Sequence, residues 1–233
     1  MDREEIERTL DRAEAALDEG RRVQGTGFWS AVEELRGNSD LTYTYGDRAA
    51  RIDRRAFEAV VRVRVPVVIG VIALFLVSWA GGITIFYATA IGYLESFQRS
   101  YCGPNAYECP PSELVAVAFI AGAGVLIYGT HGLAHWVVGR LVGIRFTHVF
   151  LGGVKTDYGS YLRASPRTRA VMHASGAVVT MALPFLLLGA SIWLYEPFPW
   201  LTWLLIAAGV TLVVVNVVYA GPDWKKVRRE LRR

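Results

Sequence analysis

His131 and His135 stand four residues apart in "HGLAHWVVGR", residues 131 to 140, inside an otherwise apolar run. Side chains at that spacing lie one turn apart on the same face of a helix, so two imidazoles can reach one metal ion or one shared partner. An ionisable group within an apolar span is costly unless something satisfies it, so the pair calls for partners from elsewhere in the chain. His173 and Asp223 have the right chemistry. Two histidines and a carboxylate, with a fourth position left open, are a common ligand set for catalytic zinc. The expected set is His131, His135 and Asp223, with His173 nearby as a second-shell group, an alternative ligand or a polar contact to substrate. A plainer reading uses the same residues: histidines hydrogen-bonding to neighbouring helices, and Asp223, after Gly221-Pro222, capping a basic helix.

The elements that must position these groups are legible in the charge pattern. Runs without charge extend from Val65 to Leu94, Leu114 to Gly139, Ala170 to Tyr195 and Pro197 to Pro222, each longer than the ~20 residues a helix needs to cross a bilayer. The fold class expected is therefore an all-α polytopic membrane protein with four transmembrane helices. The first run begins behind a long charged segment, which is not the layout of a cleavable signal. Arg48, Arg51, Arg54, Arg55, Arg62 and Arg64 precede the first run. Arg140, Arg145, Lys155, Arg163, Arg167 and Arg169 separate the second from the third, and six more basic residues follow the fourth, whereas the two opposite loops hold only Arg99. An excess of Lys and Arg marks the cytoplasmic side, so both termini are expected there, in the cell membrane. The net charge of +4 is accounted for by this topology and by attraction to the membrane surface, and does not indicate nucleic acid binding. At ~1.5 Å per residue, His135 and His131 sit roughly 8 and 14 Å from the cytoplasmic end of the second span. His173 enters the third span from the same side, and Asp223 ends the fourth there.

Three domains follow: a cytoplasmic N-terminal helical segment (1–64), a four-span transmembrane domain (65–222) and a basic cytoplasmic tail (223–233). In the first, Ile6, Leu10, Ala13 and Leu17 recur at helical spacing before Gly20. A second short helix is expected around "FWSAVEELR", then a polar "GNSD" break. Phe28, Trp29, Val32 and Leu35 can dock on the membrane or a partner, or pack against the first helix. Between the second and third spans, Ile144, Phe146, His148 and Phe150 alternate with other residues ahead of Gly152-Gly153 and "VKTDY", which predicts a short cytoplasmic β-hairpin or edge strands. Cys102 and Cys109 share one outside loop, where a disulfide can form.

From about residue 114 to 230 the chain resembles the site-2 protease family of intramembrane zinc metalloproteases. The resemblance lies in "HGLAHWVVGRLVGI", the strand-like "FTHVFLGGVKT", "HASGAVVTMALPF" and "AGPDWKKVRRE". It implies His131, His135 and Asp223 as ligands of Zn²⁺, and transmembrane segments of other proteins as substrates or clients. In that family a glutamate beside the first histidine activates water. Here the position is Gly132, which can neither accept a proton nor return it. No carboxylate lies in the second or third run, and Asp157 and Glu196 are poor substitutes. The expectation is a pseudoprotease that keeps its zinc and binds membrane-protein clients, with an active protease using an atypical base as the alternative. Two other classes fit the residues: a b-type haem protein with His131 or His135 paired to His173, and a purely structural membrane protein. Membrane di-iron enzymes also use paired histidines but need more than the four present.

Overall fold

The computed structural model describes residues 1–98, 112–193 and 199–232; Cys102, Cys109 and the disulfide expected between them lie outside the described residues. The order is α1 (Arg3–Asp18), α2 (Phe28–Gly37), α3 (Ser39–Val60), β1 (Arg64–Pro66), α4 (Val67–Gln98), α5 (Glu113–Leu141), β2 (Phe146–Phe150), β3 (Gly153–Thr156), α6 (Tyr158–Arg163), α7 (Pro166–Trp193), α8 (Pro199–Tyr219) and α9 (Gly221–Leu231). By contacts the chain divides into two compact units: residues 1–70, 136–172 and 228–233 in the first, and 71–135 and 173–227 in the second.

The first unit is built on the N-terminal helices. Asp2 starts α1 by accepting the Glu5 N–H at 2.7 Å, satisfying a donor that the first turn leaves open. Ile6, Leu10 and Ala13 then bury as their spacing predicts, together with Phe28, Val32 and Leu35 of α2. Trp29 alone of that second set stays exposed. The polar "GNSD" break is a helix cap: Asn38 Oδ1 accepts the N–H groups of Asp40 and Leu41, and α3 runs on for 22 residues. Arginines crowd α3, yet Leu41, Ala49 and Ile52 place it on the same core.

The expected hairpin is β2 and β3, antiparallel, with Val149 opposite Val154. A third strand, β1, pairs on the other side of β2 with Val65 opposite Val149, so the insertion is a three-stranded sheet. Pro66 ends that edge strand, where a missing N–H is tolerated. Asp157 caps α6 by accepting the Ser160 N–H at 3.2 Å. Glu230 of α9 is fully buried between two arginines: its Oε1 accepts from Arg36 Nη2 and its Oε2 from Arg169 Nε, each at 2.7 Å. Tyr161 Oη also donates to Oε1, at 3.2 Å.

The second unit holds most of the length of the apolar helices. Among the described residues three helices are long and apolar enough to cross a membrane: Val67–Gly92 in α4, Glu113–Leu141 in α5 and Pro166–Leu186 in α7. They fit a multi-pass membrane protein. In α8 a shorter apolar stretch runs from Gly209 to Val218. Close approach of α4 to α5 depends on glycine: a Cβ at Gly81 would lie 2.7 Å from the Gly122 carbonyl oxygen, and one at Gly129 would lie 2.8 Å from that of Leu74. Small residues of this kind let apolar helices pack at short range in lipid. Ala123 and Ile127 of α5 meet Leu212 of α8, and Thr180 donates to Asn216 Oδ1 at 3.1 Å, both residues buried. Ile72, Phe75, Leu76 and Trp79 point outward along α4, the pattern of a lipid-facing surface.

Candidate metal centre

Helix α5 presents His131 and His135 one above the other, ring planes at 85° and centroids 4.7 Å apart. Their Nε2 atoms are 3.1 Å from each other, and each is 3.2 Å from Asp223 Oδ2. All three residues are buried. Among the described residues this is the one group of three metal-ligating side chains whose donor atoms converge.

Proton counting makes the triangle informative. An ionised carboxylate brings no proton and each imidazole Nε2 at most one. Two protons at most must serve three short edges, and a proton on either nitrogen cannot lie along two of them at good angles. A cation at the centre removes the conflict. Tetrahedral zinc with ligands at ~2.0 Å sets donors about 3.3 Å apart, close to the 3.1 to 3.2 Å found. The buried group can therefore hold a metal ion, and its donor set suits one.

The surroundings orient each donor. Asp223 lies in the first turn of α9, which begins at Gly221, so it is not that helix's cap; its charge nevertheless favours a helix start. Lys226 Nζ, one turn on, donates to Asp223 Oδ1 at 3.1 Å, which leaves Oδ2 to the histidines. Burial opposes ionisation of Asp223. Hydrogen bonds from His131 and His135 and the ammonium of Lys226 outweigh it and hold the carboxyl well below the usual range. Ser175 Oγ lies 3.5 Å from His135 Nδ1. Next to it, Gly176 makes room for both rings: a Cβ there would lie 2.8 Å from His131 Cε1 and collide with His135 Nε2. Partners that aim a ligand typically govern metal affinity by 10- to 100-fold. Lys226→Met should accordingly weaken metal binding by roughly tenfold, as read by competition with a chromophoric chelator; an unchanged affinity would reduce Lys226 to a surface charge.

His131, His135 and Asp223 thus come together as their types and depths predict. His173 is buried two residues before Ser175, outside the converging trio. A side chain at position 132 would leave α5 toward Leu74 of α4, whose Cδ1 would be 2.9 Å from the new Cβ; the space beside Gly132 is thus filled by leucine. Asp157 is engaged as the α6 cap, and Glu196 lies outside the described residues. Lys226, Ser175 and Gly176 join the site only through the fold. Their only sequence signals are the three-residue spacing from Asp223 and a small pair in "HASGAVV". Compared with known protein families, curated proteins and solved structures, the chain matches none.

Proposed function

We propose that this chain is a zinc-binding protein of the cell membrane, built like a site-2 protease but without its water-activating base, and that it binds transmembrane segments of other proteins instead of cutting them. The observation that carries the reading is the buried triangle of His131, His135 and Asp223. Two imidazoles and a carboxylate favour zinc over the harder cations, which take oxygen donors. Four spans are proposed, α8 being the fourth: its 21 residues extend about 31 Å as a helix, enough for the hydrocarbon core. Both termini then lie in the cytoplasm by the distribution of basic residues.

When bound, zinc would supply Lewis acidity and a more acidic water. Using either for hydrolysis needs a proton acceptor within reach, and the position that should hold it is Gly132. Leu74 occupies the adjoining space and keeps it apolar. Exposed apolar side chains along α4, among them Phe75, Trp79 and Phe86, are compatible with contact to lipid or to a client helix.

Restoring the base tests this. The Cβ introduced by Gly132→Glu meets the flexible end of Leu74, and Gly132→Glu/Leu74→Ala removes that obstacle. In liposomes with a transmembrane substrate containing helix-breaking residues, the wild type should yield no product. The double variant should cleave, since a general base contributes roughly 10²- to 10⁴-fold. A variant that loads zinc yet leaves the substrate whole would end the family reading. Cleavage by the wild type would make it an active protease with another base, and a Soret band in the purified protein would mean haem.

A further inference from the structure

A cavity of about 470 Å³ lies in the first unit, between the chain that follows α1 and the C-terminal end of α3. Its size is that of a small-ligand site. Arg21, Arg22, Arg62 and Lys155 line it, with the aromatic faces of Trp29 and Phe57. The only carboxylate on the wall is Asp53, which is buried and already bound to Lys155 at 2.6 Å. Lys155 Nζ also sits 5.1 Å from the Phe57 ring centroid, so the ammonium is held in place at the cavity wall. Arg21 shares its charge with Glu19 on the rim. Arg22 and Arg62 are exposed and make no ion pair among the described residues. Four cations face one committed carboxylate, and nothing on the wall uses the two free guanidiniums.

We infer that this cavity binds a phosphorylated group, with Arg22 and Arg62 as its principal contacts and Lys155 beneath it. Guanidinium groups match phosphate oxygens in planar, forked geometry. Position indicates where the phosphate comes from. Arg62 is five residues before Val67, where the first apolar helix begins, a span of at most about 17 Å of extended chain. Val60 and Val63, flanking it, are 57% and 80% exposed. A cation cluster rimmed by exposed apolar side chains and tied to a membrane helix suits an anionic lipid headgroup, and a soluble phosphate ester shares the same chemistry.

Neither zinc nor the protease likeness enters this inference, so it stands or falls separately. The test uses the full chain in neutral detergent, titrated by calorimetry with dioctanoyl phosphatidic acid, dioctanoyl phosphatidylcholine and glycerol 3-phosphate. Saturable binding of phosphatidic acid, and none of phosphatidylcholine, is expected. It should weaken roughly tenfold in Arg22→Gln/Arg62→Gln, because each basic residue near such a surface contributes several-fold. Arg51→Gln/Arg54→Gln removes the same charge from exposed positions on α3 and should change affinity less than about twofold. Equal binding of glycerol 3-phosphate would make the ligand a soluble phosphate ester at the same site. Equal losses in the two double variants, or no saturation, would overturn the site and leave only diffuse charge attraction.

Discussion

The full chain, purified in detergent without chelators, will carry about one zinc per molecule, and Asp223→Asn will lose it. The substitution keeps the size of the side chain but replaces an anionic oxygen with a neutral amide, a poor ligand for zinc. It also deprives two buried imidazoles of a carboxylate oxygen that both contact. The loss should exceed the roughly 100-fold that outer partners can cost. His131→Ala/His135→Ala should behave alike. Gly176→Ala provides an independent route to the same result, since one methyl group would press on both rings while every ligand remains. Gly124→Ala, on the same helix as the histidines but with open space at its Cβ, should retain zinc. Elemental mass spectrometry reads all five proteins together. A zinc-free wild type whose double-histidine variant folds and behaves identically would reduce the triangle to a hydrogen-bonded contact among helices.

The second large effect concerns Glu230. Glu230→Gln should cost about 3 to 5 kcal/mol of stability, because it leaves Arg36 and Arg169 as buried charges without their anion. Both guanidiniums are nearly inaccessible and both donate a charge-assisted hydrogen bond to this carboxylate. Arg169 has carbonyl acceptors at Leu162 and Ala164 to fall back on. Arg36 has Tyr161 and a half-exposed Glu33. Those contacts soften the loss without neutralising the pair. Burial drives the Tyr161 hydroxyl upward in pKa, with Arg36 opposing and Glu230 reinforcing, so the phenol stays neutral and cannot replace the missing anion. Thermal unfolding followed by tryptophan fluorescence should show a midpoint lower by several degrees, against Glu58→Gln as a partly exposed control. A shift as small as that control's would mean that water reaches the cluster and screens it.

Other expectations rest on contacts nearer in sequence. Apolar length and charge asymmetry are local, additive properties, so α4, α5 and α7 were legible as spans from composition alone. The same holds for α1, whose buried residues follow a 3.6-residue period, and for β2 and β3, joined by a short turn. Helix α3 was less legible because its arginines dilute the apolar signal; its burial depends on what α1 and α2 present to it. Strand β1 is three residues long, too short to carry a pattern, and exists through its pairing with β2.

The site divides in the same way. The amino-acid sequence by itself determined that His131 and His135 share a helical face, that Gly132 offers no base, and that His173 and Asp223 carry the chemistry needed to join them. Only the tertiary structure decided between those two partners. It brings Asp223 onto both imidazoles across 92 and 88 residues of chain, turns its second oxygen to Lys226, and clears Gly176 for the rings. It likewise joins Arg36 to Glu230 across 194 residues. The physical reason is range. Periodicity and hydropathy act between neighbours along the chain, while a coordination triangle or a buried ion pair is set by distances of about 3 Å between segments whose approach is governed by the packing of everything between them.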